Sequence, residues 1–170
     1  QNGVNLNFGI VADIAYDNKS FIYSRSFGPN PSIVAEQIKE SIYCSHKELS
    51  TIKHFPGHGR TAVDSHKKTP EIDLSYSDWK NSDAIPFQCG IDSNADLVMF
   101  GHVAYPQIDN VPATLSKKWH DEIRKMGFEG LTITDDMNML KVAGYDPTDS
   151  LIRAVNAGND LLLYVDYPIS

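Results

Sequence analysis

Three stretches of this chain carry side chains whose types and spacing suit proton transfer and nucleophilic attack. Lys53-His54-Phe55-Pro56-Gly57-His58-Gly59-Arg60 groups cations with two imidazoles, and Asp64-Ser65-His66 follows it closely. Gly101-His102-Val103-Ala104-Tyr105 is the second stretch, and Thr134-Asp135-Asp136-Met137-Asn138-Met139 is the third. Ser24-Arg25-Ser26-Phe27-Gly28 adds a guanidinium near the start. An imidazole gives and takes a proton near neutral pH. A carboxylate attacks a carbon centre or orients a neighbouring base. Taken singly, each piece also has a plain structural reading. Lys53-His54 suits a polar strand end, Gly57 and Gly59 suit a tight turn, and Asp135-Asp136 suits a helix N-cap. His54 and His58, completed by Asp64, His66 and Asp135, have a ligand-like spacing for a metal. Pro56-Gly57 breaks the helix that would bring both histidines to one face, so no metal and no cofactor is expected.

What joins these pieces is their place relative to the elements that would carry them. Five apolar runs, Val4–Ile14, Leu49–His54, Ala95–His102, Gly130–Thr134 and Asp160–Val165, are near-continuous rather than alternating, as in parallel strands buried on both faces. Between them, Pro31–Ser45 spaces Ile33, Val34, Ile38 and Ile42 helically behind an Asn30 cap. Asp83–Gly90 reads as a helix with Pro86 in its first turn, Ser116–Met126 as one stopped by Gly127, and Thr148–Ala157 as one stopped by Gly158. Strands alternating with helices predict an α/β fold of βα units. The polar clusters follow successive strands, which is where parallel α/β folds build their sites. Each unit takes about 32 residues, so eight would reach the ~250 of a (β/α)8 TIM barrel. Residues 1–170 therefore read as one partial barrel domain of five units, with the first three absent.

Composition narrows the partners. A net charge of −7 argues against nucleic acid, since phosphate contacts need clustered Lys and Arg. No apolar run approaches the roughly 20 residues of a membrane-spanning helix. Cys44 and Cys89 lack metal-type spacing and read as free thiols. No leader precedes the first strand, but Gln1 is not a natural start, so compartment stays open between cytoplasm and secretion.

Lys53-His54-Phe55-Pro56-Gly57-His58-Gly59, Asp64-Ser65-His66 and Gly127-Phe128-Glu129-Gly130-Leu131-Thr132-Ile133-Thr134-Asp135-Asp136-Met137-Asn138-Met139 together resemble glycoside hydrolase family 3. They are most similar to its bacterial β-N-acetylglucosaminidase (β-N-acetylhexosaminidase) branch. The resemblance extends to Asn5-Leu6-Asn7-Phe8, Asp13 and Ser24-Arg25-Ser26-Phe27-Gly28. It implies a retaining hydrolase of GlcNAc-containing oligosaccharides or cell-wall muropeptides, as in peptidoglycan recycling. Asp135 matches the family nucleophile and Asp64 with His66 the acid/base dyad. Arg25, Lys53, His54 and His102 fall at positions expected to bind substrate, and Asp136 to orient the turn after its strand. Retention needs a covalent glycosyl-enzyme and a second group about 5 Å from the nucleophile. Here an imidazole, oriented by Asp64, would take that part, and phosphate as well as water would be able to resolve the intermediate. The family's acidic sugar-binding residue after its third strand has no counterpart, and five units leave open edges inviting the missing units or self-association. Two rival readings stand: a family 3 β-glucosidase, disfavoured by the Asp64-Ser65-His66 loop, and an inactive sugar-binding or interaction fragment.

Overall fold

A computed structural model describes residues 3–45, 47–65 and 68–165. Four parallel strands, β1 (Leu6–Val11), β2 (Leu49–Phe55), β3 (Leu97–Phe100) and β6 (Leu131–Thr134), form one sheet in the order β1-β2-β3-β6. Strand order that follows chain order is the arrangement of a barrel wall. A doubly wound sheet would reverse direction partway. The connections carry α1 (Pro31–Cys44), α2 (Tyr76–Lys80), α3 (Ala84–Asp92) and α4 (Lys117–Lys125), and α5 (Asn138–Val142) and α6 (Pro147–Ala157) follow β6.

Local chemistry sets the helix ends. Asn30 Oδ1 accepts from the backbone N–H groups of Ser32 and Ile33, and Pro31 takes the first helical position, where its missing N–H costs nothing. Ser116 Oγ accepts from Trp119 N at the start of α4. Asp146 caps α6, which Gly158 ends with φ 124°. Pro86 sits within the first turn of α3, as its sequence predicts.

The sheet is apolar on both faces, and alternation along β3 sorts them. Val98 and Phe100 point to the helix side, into a cluster with Ile38, Ile52, Phe87, Trp119 and Ile123. Leu97 and Met99 point the other way, beside Ile133, Leu6, Phe8 and Leu163. Phe55 anchors the helix side, meeting Trp79, Phe87, Phe100 and Trp119 edge-on at centroid distances of 5.0–5.9 Å. Each such burial contributes about 1.5–3 kcal/mol.

Two features differ from the expectation. Asp160–Val165 forms only a single bridge, Leu161 to Ile133. It runs beside β6, with Thr134 N donating to Leu161 O and Met137 N to Leu163 O. Leu163 N, however, donates to the Thr134 hydroxyl instead of a carbonyl, and that side-chain bond interrupts the ladder. A small antiparallel pair, β4 (Ala104–Tyr105) with β5 (Asp109–Pro112), was not legible in the sequence because its strands are too short to show a period. Cys44 and Cys89 are free thiols.

Candidate active site

β2, β3 and β6 end side by side, which gathers the residues that follow them at one edge of the sheet. In β2, Thr51 pairs with Leu97 and Lys53 with Met99, so Lys53 emerges at the top of the face opposite the helices. The register then shifts between Lys53 and Phe55, and the Lys53–His54 and Phe55–Pro56 peptide bonds are cis. Asp135 follows β6 directly, and its N–H donates to Phe100 O, continuing the ladder.

The centre of the site is a residue the sequence reading left without a role. Asp13, just past β1, is completely buried, and its carboxylate accepts from His54 Nδ1 at 2.6 Å, His54 N at 3.2 Å and His58 N at 2.7 Å. Burial pushes the Asp13 carboxyl up, but the two histidines beside it outweigh burial and hold it below the usual carboxylate range. A donor at Nδ1 turns the other ring nitrogen of His54 outward, 3.9 Å from Asp135 Oδ2. Asp13, His54 and Asp135 thus form a line from buried anchor to partly exposed carboxylate. The sequence offered an Asp at the end of a strand run and a family resemblance that reached it, and neither of these assigned it a role.

Asp135 is held ionised. Burial raises its pKa, yet His54, His102, the Asp136 N–H and Lys53 together lower it below the ordinary value. Asp136 N donates to Asp135 Oδ1 at 2.8 Å. Asp136 Oδ1 itself accepts from Asn138 N and Val165 N, so this second carboxylate shapes the turn. Lys53 is half-buried, and desolvation lowers its pKa against the attraction of Asp135.

The other expected residues separate. His102 is fully enclosed: Nε2 donates to the Asp136 carbonyl at 2.9 Å, and Nδ1 lies 2.8 Å from the Thr114 hydroxyl. Burial lowers its pKa, and the Thr114 hydroxyl beside Nδ1 also lies 2.9 Å from the Gly101 carbonyl and 3.2 Å from the Phe100 carbonyl. With both nitrogens used inside the protein, His102 braces the Asp135–Asp136 turn and has no nitrogen free for a sugar hydroxyl. Arg25 is exposed at the end of a 3-10 turn, Tyr23–Arg25, with its guanidinium 5.6 Å from the Phe21 ring centroid. Asp64 is half-buried in the loop after β2. His66 lies outside the described residues. His58, expected only as a neighbour, is buried with neither ring nitrogen hydrogen-bonded. Burial lowers its pKa as well. No group of three or more metal-ligating side chains occurs among the described residues.

A parallel βα wall with carboxylate, imidazole and ammonium gathered beyond its strand ends is the arrangement of a barrel-type catalytic face. Residues 1–170 match the glycosyl hydrolase family 3 N terminal domain. A β-hexosaminidase from Nitrosospira multiformis is 34% identical over 172 residues, which cover 98% of this chain and 49% of that protein. The solved family 3 β-N-acetylglucosaminidase from Paenibacillus sp. str. FPU-7 superposes with a TM-score of 0.90 at 30% identity, over 95% of this chain and 32% of that one. The β-glucoside phosphorylase BglX also superposes with a TM-score of 0.90, at 26% identity, over 98% of this chain and 33% of its own. The chain belongs to glycoside hydrolase family 3, and its α/β wall is part of that family's barrel domain. It spans about half the length of the curated relatives it matches.

Proposed function

We propose that this chain supplies the catalytic face of a retaining β-N-acetylhexosaminidase that releases terminal β-linked N-acetylglucosamine from oligosaccharides or muropeptides. The observation that carries this reading is the ionised Asp135 carboxylate at the end of β6, faced by His54 and Lys53, in a family 3 chain whose relatives bear the name β-hexosaminidase. In the proposed reaction an Asp135 oxygen attacks the anomeric carbon. The bond to the leaving oxygen breaks, its electron pair stays on that oxygen, and His66 supplies the proton. Water then attacks the same carbon, gives its proton to the His66 imidazole and frees the Asp135 carboxylate. Asp64 would orient that imidazole and stabilise its charged form. Lys53, His54 and Arg25 are proposed to hold sugar hydroxyls, and His102 to keep the nucleophile's turn in place.

Likeness to a β-glucoside phosphorylase supports a second acceptor, with phosphate in place of water in the last step. One experiment addresses both readings. The full-length protein is assayed on dinitrophenyl and methyl GlcNAc glycosides, with and without phosphate. Asp135→Asn should fall to background on both substrates while remaining folded. His66→Ala should slow the methyl glycoside at least about a hundredfold more than the dinitrophenyl one, because acid assistance matters most for a basic leaving oxygen. Near-normal turnover by Asp135→Asn would overturn the nucleophile assignment. Equal slowing of the two substrates by His66→Ala would overturn the acid/base assignment.

A further inference from the structure

His102 and Thr114 meet behind the Asp135–Asp136 turn, and the hydrogens they share out can be counted. His102 is 1% exposed, and Thr114, in the 3-10 turn Ala113–Leu115, is fully buried. Three short contacts join there. His102 Nε2 lies 2.9 Å from the Asp136 carbonyl, His102 Nδ1 lies 2.8 Å from Thr114 Oγ1, and Thr114 Oγ1 lies 2.9 Å from the Gly101 carbonyl. The atoms at the two ends are carbonyl oxygens, which only accept. Each contact therefore needs its own hydrogen, supplied by the ring or by the hydroxyl. The Phe100 carbonyl, 3.2 Å from the same hydroxyl, already accepts from Asp135 N, so the shorter Gly101 contact is the one that calls on Thr114.

A neutral imidazole carries one N–H and the hydroxyl one O–H, which leaves two hydrogens for three contacts. In either tautomer one pair of buried acceptors is left facing each other, or Thr114 must abandon Gly101. An imidazolium supplies the third hydrogen. Nε2–H then goes to Asp136 O, Nδ1–H to Thr114 Oγ1, and the hydroxyl hydrogen to Gly101 O. A buried charge persists where its hydrogens are all met and an opposite charge lies near. Burial opposes a charge on this ring. The Asp135 carboxylate, the Asp136 carbonyl and the Asp136 carboxylate favour it, while His54 opposes it.

We propose that His102 is an imidazolium in the folded enzyme, a fixed positive charge behind the Asp135–Asp136 turn that keeps the Asp135 carboxylate ionised. The second half of this inference rests on the reading of Asp135 as nucleophile. The charge on the ring does not. Burial raises the Asp135 carboxyl, and His102 stands next to His54 among the groups that bring it down. A neutral ring would brace the turn by shape alone. A charged one acts on Asp135 through its field as well, which makes His102 a positioning residue with an electrostatic signature.

The test uses the full-length protein with isotopically labelled histidine, titrated by nuclear magnetic resonance. The His102 signal is identified by its loss in His102→Gln. Both ring nitrogens should carry a proton at pH 7, with release only above the ordinary value of about 6.5. A bare ring nitrogen at pH 7 overturns the proposal. Thr114→Val takes an acceptor from the charged ring, so His102 should titrate about one unit lower in that variant. If Thr114 instead donates to a neutral ring, its loss moves the titration upward; an upward or absent shift overturns the proposal. Should His102→Gln fail to fold, the signal that moves in Thr114→Val identifies His102 and the titration decides. The kinetic arm follows kcat/KM for the dinitrophenyl GlcNAc glycoside, whose departing oxygen needs little acid help, as pH falls and Asp135 takes up a proton. His102→Gln should move that acid limb up by about one pH unit. A slower variant with an unmoved limb overturns the electrostatic role and leaves only a brace. Near-normal turnover by Asp135→Asn removes the nucleophile reading, and the ring's charge is then still judged by the titration.

Discussion

Replacing Asp13 by Asn should unsettle the site's foundation more than its chemistry. The wild-type carboxylate is fully buried and accepts from His54 Nδ1, His54 N and His58 N. Asn keeps the shape, but its single oxygen cannot serve donors on both sides, and its amide N–H groups then face other donors. A hydrogen bond to a charged group is worth about 1.5–3 kcal/mol, and breaking a buried charged pair costs about 3–5 kcal/mol. We expect Asp13→Asn to lose about 3–5 kcal/mol, a large part of the roughly 5–15 kcal/mol of a typical domain. The same contacts give a pH signature. The folded Asp13 carboxyl lies below its usual value, so the folded state holds the anion more strongly than the unfolded chain does. That contribution is complete above the unfolded pKa of about 3.9 and is lost as pH falls through the lower folded value. Urea unfolding of the full-length protein between pH 7 and pH 3 tests this. The wild type should weaken below about pH 4, and the variant should be weaker at neutral pH with a shallower acid slope. A variant within 1 kcal/mol of wild type at pH 7, or with an unchanged slope, would refute the claim that Asp13 anchors His54.

Gly59→Ala should cost more than the usual 1–3 kcal/mol of an overpacked site and lower activity, because the added Cβ meets the Ile14 carbonyl, a backbone atom with little room to move; a stability scan alongside the glycoside assay measures both. Thr114→Val removes the hydroxyl shared by His102 Nδ1 and the Gly101 carbonyl and leaves buried polar atoms without that partner, so we expect a loss of about 1–3 kcal/mol in urea unfolding. Residues 1–170 made alone should self-associate at low micromolar concentration, since Leu6, Phe8 and Leu163 are only partly covered beside Leu97, Met99 and Ile133 on the face opposite the helices. Sedimentation velocity checks this, and a compact monomer with full turnover would contradict it.

What the sequence by itself determined was local. Apolar runs of strand length, caps at Asn30 and Ser116 and the stop at Gly158 depend on neighbours within a few residues, and they emerged largely where periodicity and turn chemistry placed them. Asp135 was legible for the same reason, because a carboxylate directly after a buried strand must surface at the sheet's end. The fifth strand was legible as an apolar run but not as an interrupted ladder, since the competing Thr134 hydroxyl acts only once the two segments lie together. Tertiary structure alone decided the rest of the site. Asp13 and His54 stand 41 positions apart, and only the parallel pairing of β1 with β2 brings the carboxylate under the imidazole. His102 looked like a ligand-facing histidine by position, but its ring turns inward between Thr114 and the Asp136 carbonyl, partners 12 and 34 positions away. A histidine's role depends on what meets its two nitrogens, and those partners are set by strand order and register, which no local pattern encodes.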